Sequence, residues 1–124
     1  MQIFMTKPFA RFAADEGIAD RELRDAVERA RKGLIDADLG GGVIKQRVAR
    51  GGQGKSRGFR TIILFRQAEK AFFAYGFAKS DRANISQDEL KAFRKLADIL
   101  LNLEGAALAA AMKNGTITEI TRHG

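Results

Sequence analysis

Hydrophobic residues in the first third of the chain recur at helical spacing, every three or four positions. Phe9, Phe12 and Ala13 predict a first helix, which begins after a cap formed by Thr6 with Pro8 in the first turn. Asp20 is the predicted N-cap of a second helix, and Gly33 is its predicted C-cap. The buried stripe of this second helix consists of Leu23, Ala26, Val27 and Ala30.

From residue 43 the pattern changes to alternation, which is typical of strands. Three strands are predicted at 43–49, 59–66 and 70–78, with a turn at 67–69 and a loop before the first strand, at 33–42. Ser86 and Glu89 form a capping box that begins another amphipathic helix. Residues 104–115 are compatible with a further helix, and residues 2–6 and 116–120 with short strands.

This order of elements predicts an α+β fold in a single domain covering residues 1–124. The fold has a small, mainly antiparallel sheet, two N-terminal helices and a C-terminal helix. We expect the helices to pack against one face of the sheet.

Composition excludes several classes of site. The sequence has no cysteine and one histidine, His123, near the end of the chain, so zinc sites built on cysteine and acid–base pairs built on histidine are not expected. No apolar run approaches the roughly 18 residues of a membrane helix, and the first residues do not resemble a signal peptide. We therefore expect a soluble, cytoplasmic protein without metal or cofactor.

The net charge is +7, and it is concentrated in the middle of the chain. Residues 43–82 contain ten basic and two acidic residues, whereas the remainder is nearly neutral. Such a block is typical of a surface that binds a polyanion, although a solvated basic face without a partner is the alternative.

The segment Gly54-Lys55-Ser56 invites comparison with a nucleotide-binding P-loop. A P-loop requires glycine at position 49, which is Ala49, and a helix afterwards, where a strand is predicted. The segment 50–57 is therefore interpreted as a mobile basic arm for a nucleic-acid backbone.

Strand alternation predicts which of the basic residues share a face. Lys45 and Arg47 point the same way, while Ile44 and Val48 take the buried side. The residues expected to line one concave face, with the arm at its rim, are Lys45, Arg47, Arg60 and Lys79. Phe73, Tyr75 and Phe77 have the same parity as Lys79; the two phenylalanines are expected in the core, and Tyr75 either in the core or stacked on a base.

A basic face of this kind can bind phosphate or can cleave RNA without metal or histidine. Arginines stabilise the charge on a crowded phosphorus, and a lysine among like charges is neutral part of the time and able to accept a proton. Arg60 could instead form an ion pair with Glu22 or Glu28, and Asp81 could brace Arg82.

Four linked motifs resemble the RelE/HigB-type toxins of bacterial type II toxin–antitoxin systems, in the RelE/ParE superfamily. They are Lys45-Gln-Arg47, Gly54-Lys-Ser-Arg-Gly-Phe-Arg-Thr61, Phe73-Ala-Tyr-Gly-Phe-Ala-Lys79 and Asn84-Ile-Ser86. The resemblance implies a twisted sheet with two N-terminal helices and a ribosome-dependent mRNA endoribonuclease that inhibits translation. It also implies metal-independent attack by the ribose 2′-OH, giving cyclic phosphate ends, and a cognate antitoxin, often with a helix-turn-helix.

The resemblance also implies roles for individual residues. Arg60 matches the family arginine that clamps the transition state, and Lys79 matches a catalytic group after the last strand. Lys45 and Arg47 match the pair that includes the general base. The residues expected to contact RNA are Arg50, Lys55, Arg57, Tyr75 and Arg82.

The sequence departs from the family pattern at two points. Arg57 replaces a glycine, and the C-terminal tyrosine or histidine of some members has no counterpart. Two other functions therefore remain open at this stage: a ParE-like gyrase inhibitor, and a nucleic-acid-binding protein without catalysis.

Overall fold

The computed structural model describes residues 1–50 and 54–121, with the backbone alone described for 54–57. Helices and strands follow one another closely in this part of the chain. They are β1 Gln2–Thr6, α1 Lys7–Glu16, α2 Asp20–Arg31, β2 Ala37–Gly40, β3 Val43–Arg50, β4 Gly54–Arg66, β5 Lys70–Ala78, α3 Gln87–Leu100, α4 Gly105–Lys113 and β6 Ile117–Glu119.

Within the described residues, the strands form a six-stranded sheet in the order β2-β3-β4-β5-β1-β6. β1 and β5 are parallel, and the other neighbouring strands are antiparallel. The predicted α+β class with a mainly antiparallel sheet is confirmed, and so is the β3-β4-β5 meander. β1 lies between β5 and β6, so the first strand of the chain occupies the interior of the sheet.

Helices cover both faces of the sheet, and the prediction that they cover one face is wrong. α1 and α2 pack on one face against Ile44, Ile63 and Phe73. Two C-terminal helices, α3 and α4, cover the other face and pack with Ile62 and Phe72. The sequence carries the reason: adjacent residues such as Ile62 and Ile63 are both apolar, as expected of strands buried on both sides. The predicted fold counted one C-terminal helix, and the helix considered at 104–115 is α4.

The helix caps follow the sequence at Thr6 and Ser86 but not at the two ends of α2, whose C-cap is Lys32, with the predicted Gly33 one residue later. Thr6 caps α1 by accepting a hydrogen bond from Phe9 N, and Ser86 with Glu89 forms the predicted capping box of α3. The prediction of Asp20 as N-cap is wrong, because Ala19 has the extended conformation and Asp20 is the first helical residue. As an acidic residue in the first turn, Asp20 still stabilises α2 through its favourable interaction with the helix dipole.

Three local features of the sheet escaped sequence analysis. The predicted loop before β3 contains the edge strand β2. β4 begins earlier than predicted, and Arg50 pairs with Gly54, so residues 50 and 54–57 belong to strands and not to a separate arm. The rest of the predicted arm, residues 51–53, lies outside the described residues. The β4–β5 register shifts between Ile62 and Ile63, which turns Phe73 to the α1–α2 face, opposite to Tyr75.

Candidate functional site

Cross-strand register brings four of the predicted site residues together near one end of the sheet. Arg47 lies opposite Arg60, which lies opposite Phe77. The next row is formed by Lys45, Ile62 and Tyr75. Because cross-strand partners share a face, these side chains all lie on the α3–α4 side. We call the surface formed by Lys45, Arg47, Arg60 and Tyr75 the basic face.

Arg60 is the half-buried centre of the basic face. Its Nη1 atom is buried and has no hydrogen-bond partner in the described part of the chain. The ion pair considered with Glu22 or Glu28 is not formed: both glutamates belong to α2, on the opposite face, where Glu22 contacts Arg21 and Glu28 contacts Arg31. A guanidinium opposite a second arginine and short of acceptors favours the binding of an anion.

Arg47 is held by Asp36. Asp36 Oδ2 accepts a hydrogen bond from Arg47 N at 2.7 Å, and Asp36 Oδ1 accepts one from Arg47 Nη2 at 3.3 Å. Partial burial raises the pKa of the Asp36 carboxyl, but the hydrogen bonds from Arg47 outweigh it and hold that pKa below its usual value. Arg47 is therefore neutralised in part, unlike Arg60.

Gln46 fixes the segment that carries Asp36, and sequence analysis missed it. Its side chain is fully buried, donates to the carbonyls of Ala26 and Leu34 at 3.0 and 3.2 Å, and accepts from Asp36 N at 2.7 Å. A polar residue at a core-facing position of β3 was the only available signal, because its partners lie in distant segments.

The two predicted lysines differ in their surroundings. Lys45 Nζ donates a hydrogen bond to Asn84 Oδ1 at 3.3 Å, which links β3 to the segment after β5. Lys79 is exposed in the turn that follows β5, and no described residue forms a hydrogen bond or ion pair with it. Its ammonium group is therefore available to an anion at the edge of the basic face.

Arg82 is tied to the protein at most of its donors. Nη2 and Nη1 donate to the two Glu89 oxygens at 2.6 and 3.0 Å, Nη1 also donates to Tyr75 Oη at 3.1 Å, and Nε donates to the Asn84 carbonyl at 2.9 Å. Arg82, with the Ser86 backbone N–H, lowers the pKa of Glu89 to about 2, and Glu89 in turn raises the pKa of Arg82. Glu89, and not Asp81, braces Arg82.

The aromatic residues of β5 pack against other side chains, so their rings are not open to solvent for an RNA base to stack on. Phe73 is fully buried and Phe77 is 4% exposed, so both belong to the core as predicted. Tyr75 is half-buried, with its ring centroid 5.8 Å from that of Phe77 and 6.0 Å from that of Phe93. Its hydroxyl is thus more available to a ligand than its ring.

Of the other basic residues in segment 43–82, Arg50 lies near α1, and Arg66 and Lys70 lie at the opposite end of the sheet. Arg50 lies toward α1, with Nη2 3.9 Å from Glu16 Oε1 and Cζ 4.6 Å from the Phe59 ring centroid. The side chains of Lys55 and Arg57, and all of His123, lie outside the described residues.

At the opposite end of the sheet, Arg66 and Lys70 donate to backbone carbonyls at the end of α3. Arg66 Nη1 lies 2.9 Å from the Leu101 oxygen, and Lys70 Nζ bonds the Leu103 oxygen. These two cations attach α3 to the β4–β5 hairpin. Charge counting along the sequence could not separate them from the basic face.

Residues 1–50 and 54–121 contain neither a cluster of metal ligands nor a membrane-spanning helix. No three histidine, aspartate or glutamate side chains lie close enough to hold a metal ion there. None of the helices in that part of the chain is both long and apolar enough to cross a membrane.

Comparison with known families gives one match and one negative result. A sequence model of the family described as "RelE toxin of RelE / RelB toxin-antitoxin system" matches residues 1–120. A search of curated proteins finds no match. The matched region contains all the residues of the basic face.

Proposed function

Since the chain belongs to the RelE toxin family and is a toxin of a toxin–antitoxin system, we propose that it is a metal-independent endoribonuclease. Its substrate is messenger RNA on the ribosome, and its cleavage inhibits translation in the cytoplasm. The observation that carries this proposal is the half-buried Arg60 guanidinium, whose Nη1 has no hydrogen-bond partner among the described residues and which lies beside a second arginine.

A bound anion relieves the repulsion between the like charges of Arg60 and Arg47. Like charges at directly opposite strand positions destabilise a sheet, and Arg60 lies directly opposite Arg47. Asp36 offsets the charge of Arg47 only. A phosphate bound on the basic face offers oxygens to the half-buried Arg60 guanidinium and screens the repulsion, which matches the family's use of RNA as a substrate.

The proposed reaction is attack by the ribose 2′-oxygen on the adjacent phosphorus. A base removes the 2′-OH proton, the O2′–P bond forms, and the P–O5′ bond breaks to leave a 2′,3′-cyclic phosphate and a 5′-OH. Arg60 binds the non-bridging oxygens as their charge increases. Lys45, through a neutral amine, is the general base, and Arg47 binds the phosphate beside Arg60. Lys79, which has no partner among the described residues, adds a cation at the edge of the basic face.

Other basic residues bind the RNA on either side of the reacting phosphate. We assign this role to Arg50, at the end of β3, and to Lys55 and Arg57 in the neighbouring strand β4. The cognate antitoxin, which we expect to have a helix-turn-helix, covers the basic face and blocks it.

The test is primer extension on a reporter mRNA after brief induction in translating cells. We compare the wild type with Arg60→Ala and with Arg21→Ala, a control that removes a cation whose side chain is 82% exposed on the opposite face. Cleavage in frame with codons is expected from the wild type and from Arg21→Ala, and is expected to disappear with Arg60→Ala.

The other outcomes separate the remaining functions. Growth arrest with intact mRNA and damaged DNA would indicate that the protein is a gyrase inhibitor and not a ribonuclease. Intact mRNA without arrest would leave a nucleic-acid-binding protein. Cleavage by Arg60→Ala at the wild-type rate would remove Arg60 from the reaction.

A further inference from the structure

The Tyr75 hydroxyl has an unusual set of hydrogen bonds. Its oxygen accepts from Arg82 Nη1 at 3.1 Å, and no described residue accepts its proton. A phenol hydroxyl can donate one hydrogen bond while it accepts another. Because the oxygen is held by a cation, the proton remains to be donated to a ligand on the basic face.

A chain of hydrogen bonds fixes this hydroxyl from behind. Glu89 binds Arg82 through both carboxylate oxygens, at 2.6 and 3.0 Å. Glu89 is itself fixed at the start of α3, where its Oε1 accepts from Ser86 N at 2.7 Å and its N donates to Ser86 Oγ at 3.1 Å. A bidentate pair of hydrogen bonds between a guanidinium and a carboxylate has strict geometry. The start of α3 therefore determines where the Tyr75 hydroxyl lies.

The hydroxyl is close to Arg60 along the sheet. Arg60 and Ile62 are successive positions on one face of β4, and they pair with Phe77 and Tyr75 of β5. Arg60 and Tyr75 are thus diagonal neighbours, which are typically about 7–8 Å apart, with their Cβ atoms somewhat closer. Side chains at that separation can contact different oxygens of the same phosphodiester group.

We propose that Tyr75 donates the proton to the leaving 5′-oxygen and that Glu89, acting through Arg82, is the positioning residue for Tyr75. The inference rests on the proposed ribonuclease function and adds a named acid to it. As the P–O5′ bond breaks, its electron pair goes to O5′, which takes the phenol proton. The product is a 5′-OH, and solvent returns a proton to Tyr75.

This assignment changes the role of two residues that the sequence had grouped as RNA contacts. Arg82 has one N–H hydrogen left after its bonds to Glu89, Tyr75 and Asn84. It therefore acts on RNA through Tyr75. Phe77, beside Tyr75, is too buried for an RNA base to stack on it. Tyr75 therefore acts through its hydroxyl and not by stacking on an RNA base.

The test uses two synthetic mRNAs that differ by one atom at the cleavage site. One has the natural 5′-oxygen, and the other has a bridging 5′-sulfur, which leaves as a thiolate and needs no proton. Single-turnover cleavage is measured on ribosomes programmed with each RNA. The proteins are the wild type, Tyr75→Phe, Glu89→Gln and Arg60→Ala, with Glu69→Gln at the distant hairpin as control.

We expect Tyr75→Phe to cleave the oxygen substrate about a hundredfold more slowly than the wild type, since a general acid contributes 10²–10⁴-fold. Glu89→Gln should show a smaller loss, roughly tenfold, because misplacement by about 1 Å costs up to about a hundredfold. Both variants should cleave the sulfur substrate at close to the wild-type rate. Arg60→Ala should be slow on both substrates, and Glu69→Gln should match the wild type.

Each failure has its own signature. If the wild type cleaves neither RNA, the proposed function is wrong. If the wild type cleaves both but Tyr75→Phe is equally impaired on both, Tyr75 is structural and the inference is overturned. Wild-type activity of Tyr75→Phe on the oxygen substrate overturns it too. If Glu89→Gln alone fails to recover on sulfur, Glu89 is not a positioning residue for Tyr75.

Discussion

Gln46→Leu should destabilise the protein although it places a more hydrophobic residue of similar size in a fully buried position. The wild-type side chain holds three backbone groups, those of Ala26, Leu34 and Asp36, which come from α2 and from the segment before β2. Leucine satisfies none of them. The Asp36 N–H and the Leu34 carbonyl then lose the partners that the structure gives them.

The expected magnitude follows from these contacts. Three hydrogen bonds contribute about 1 kcal/mol each, roughly 3 kcal/mol in all. Burying the leucine side chain returns about 1–2 kcal/mol. The free energy of unfolding should therefore fall by about 1–2 kcal/mol.

Urea denaturation followed by circular dichroism measures this change. With an m-value of about 1–3 kcal/mol per molar urea, the midpoint should fall by roughly 0.3–2 M at unchanged m. Gln2→Leu makes the same chemical change at an exposed position of β1 and should stay within about 0.5 kcal/mol of the wild type. A Gln46→Leu midpoint at or above that of the wild type would refute the reasoning.

Three further predictions concern glycine, turn and charge positions. Gly76→Ala should destabilise by about 1–3 kcal/mol in the same urea assay, because the added Cβ would lie 2.4 Å from Phe12 Cε2; an unchanged midpoint would contradict this packing. Ala68→Gly should stabilise by about 1 kcal/mol, since Ala68 has a φ of 64°; a lower Tm than the wild type would argue against strain at this turn. The pKa of Glu89 is about 2, below its usual 4.5, so its stabilising effect is present above pH 4.5 and is lost as the pH falls through 2. The Tm difference between the wild type and Glu89→Gln should therefore shrink from pH 5 to pH 2, and a constant difference would count against the Arg82 pair.

Local signals predicted the elements better than their arrangement. The caps at Thr6 and Ser86 located the starts of α1 and α3. Hydrophobic periodicity located the helices and the β3-β4-β5 meander. The bulge near Ile62 and the edge strand β2 depend on pairing with distant segments, so they leave little trace in local spacing. The second covered face could have been predicted from the consecutive apolar residues in β4 and β5.

The candidate site was predictable as a set of cations but not as a set of contacts. Alternation placed Lys45, Arg47 and Arg60 on one face because side-chain direction follows from backbone geometry. The partners of those cations come from segments far along the chain. Asp36 beside Arg47, and Glu89 beside Arg82, required the tertiary structure.

The interior position of β1 sets the order in which a growing chain can fold. β1 emerges from the ribosome before both of its partners, since β5 begins at Lys70 and β6 begins at Ile117. Neither edge of β1 can be satisfied while synthesis is at an early stage, and contacts between such distant residues form slowly. The basic face likewise lacks the glutamate that fixes Arg82 until α3 has been made. A partly synthesised chain therefore carries the cations of this toxin without the structure that arranges them.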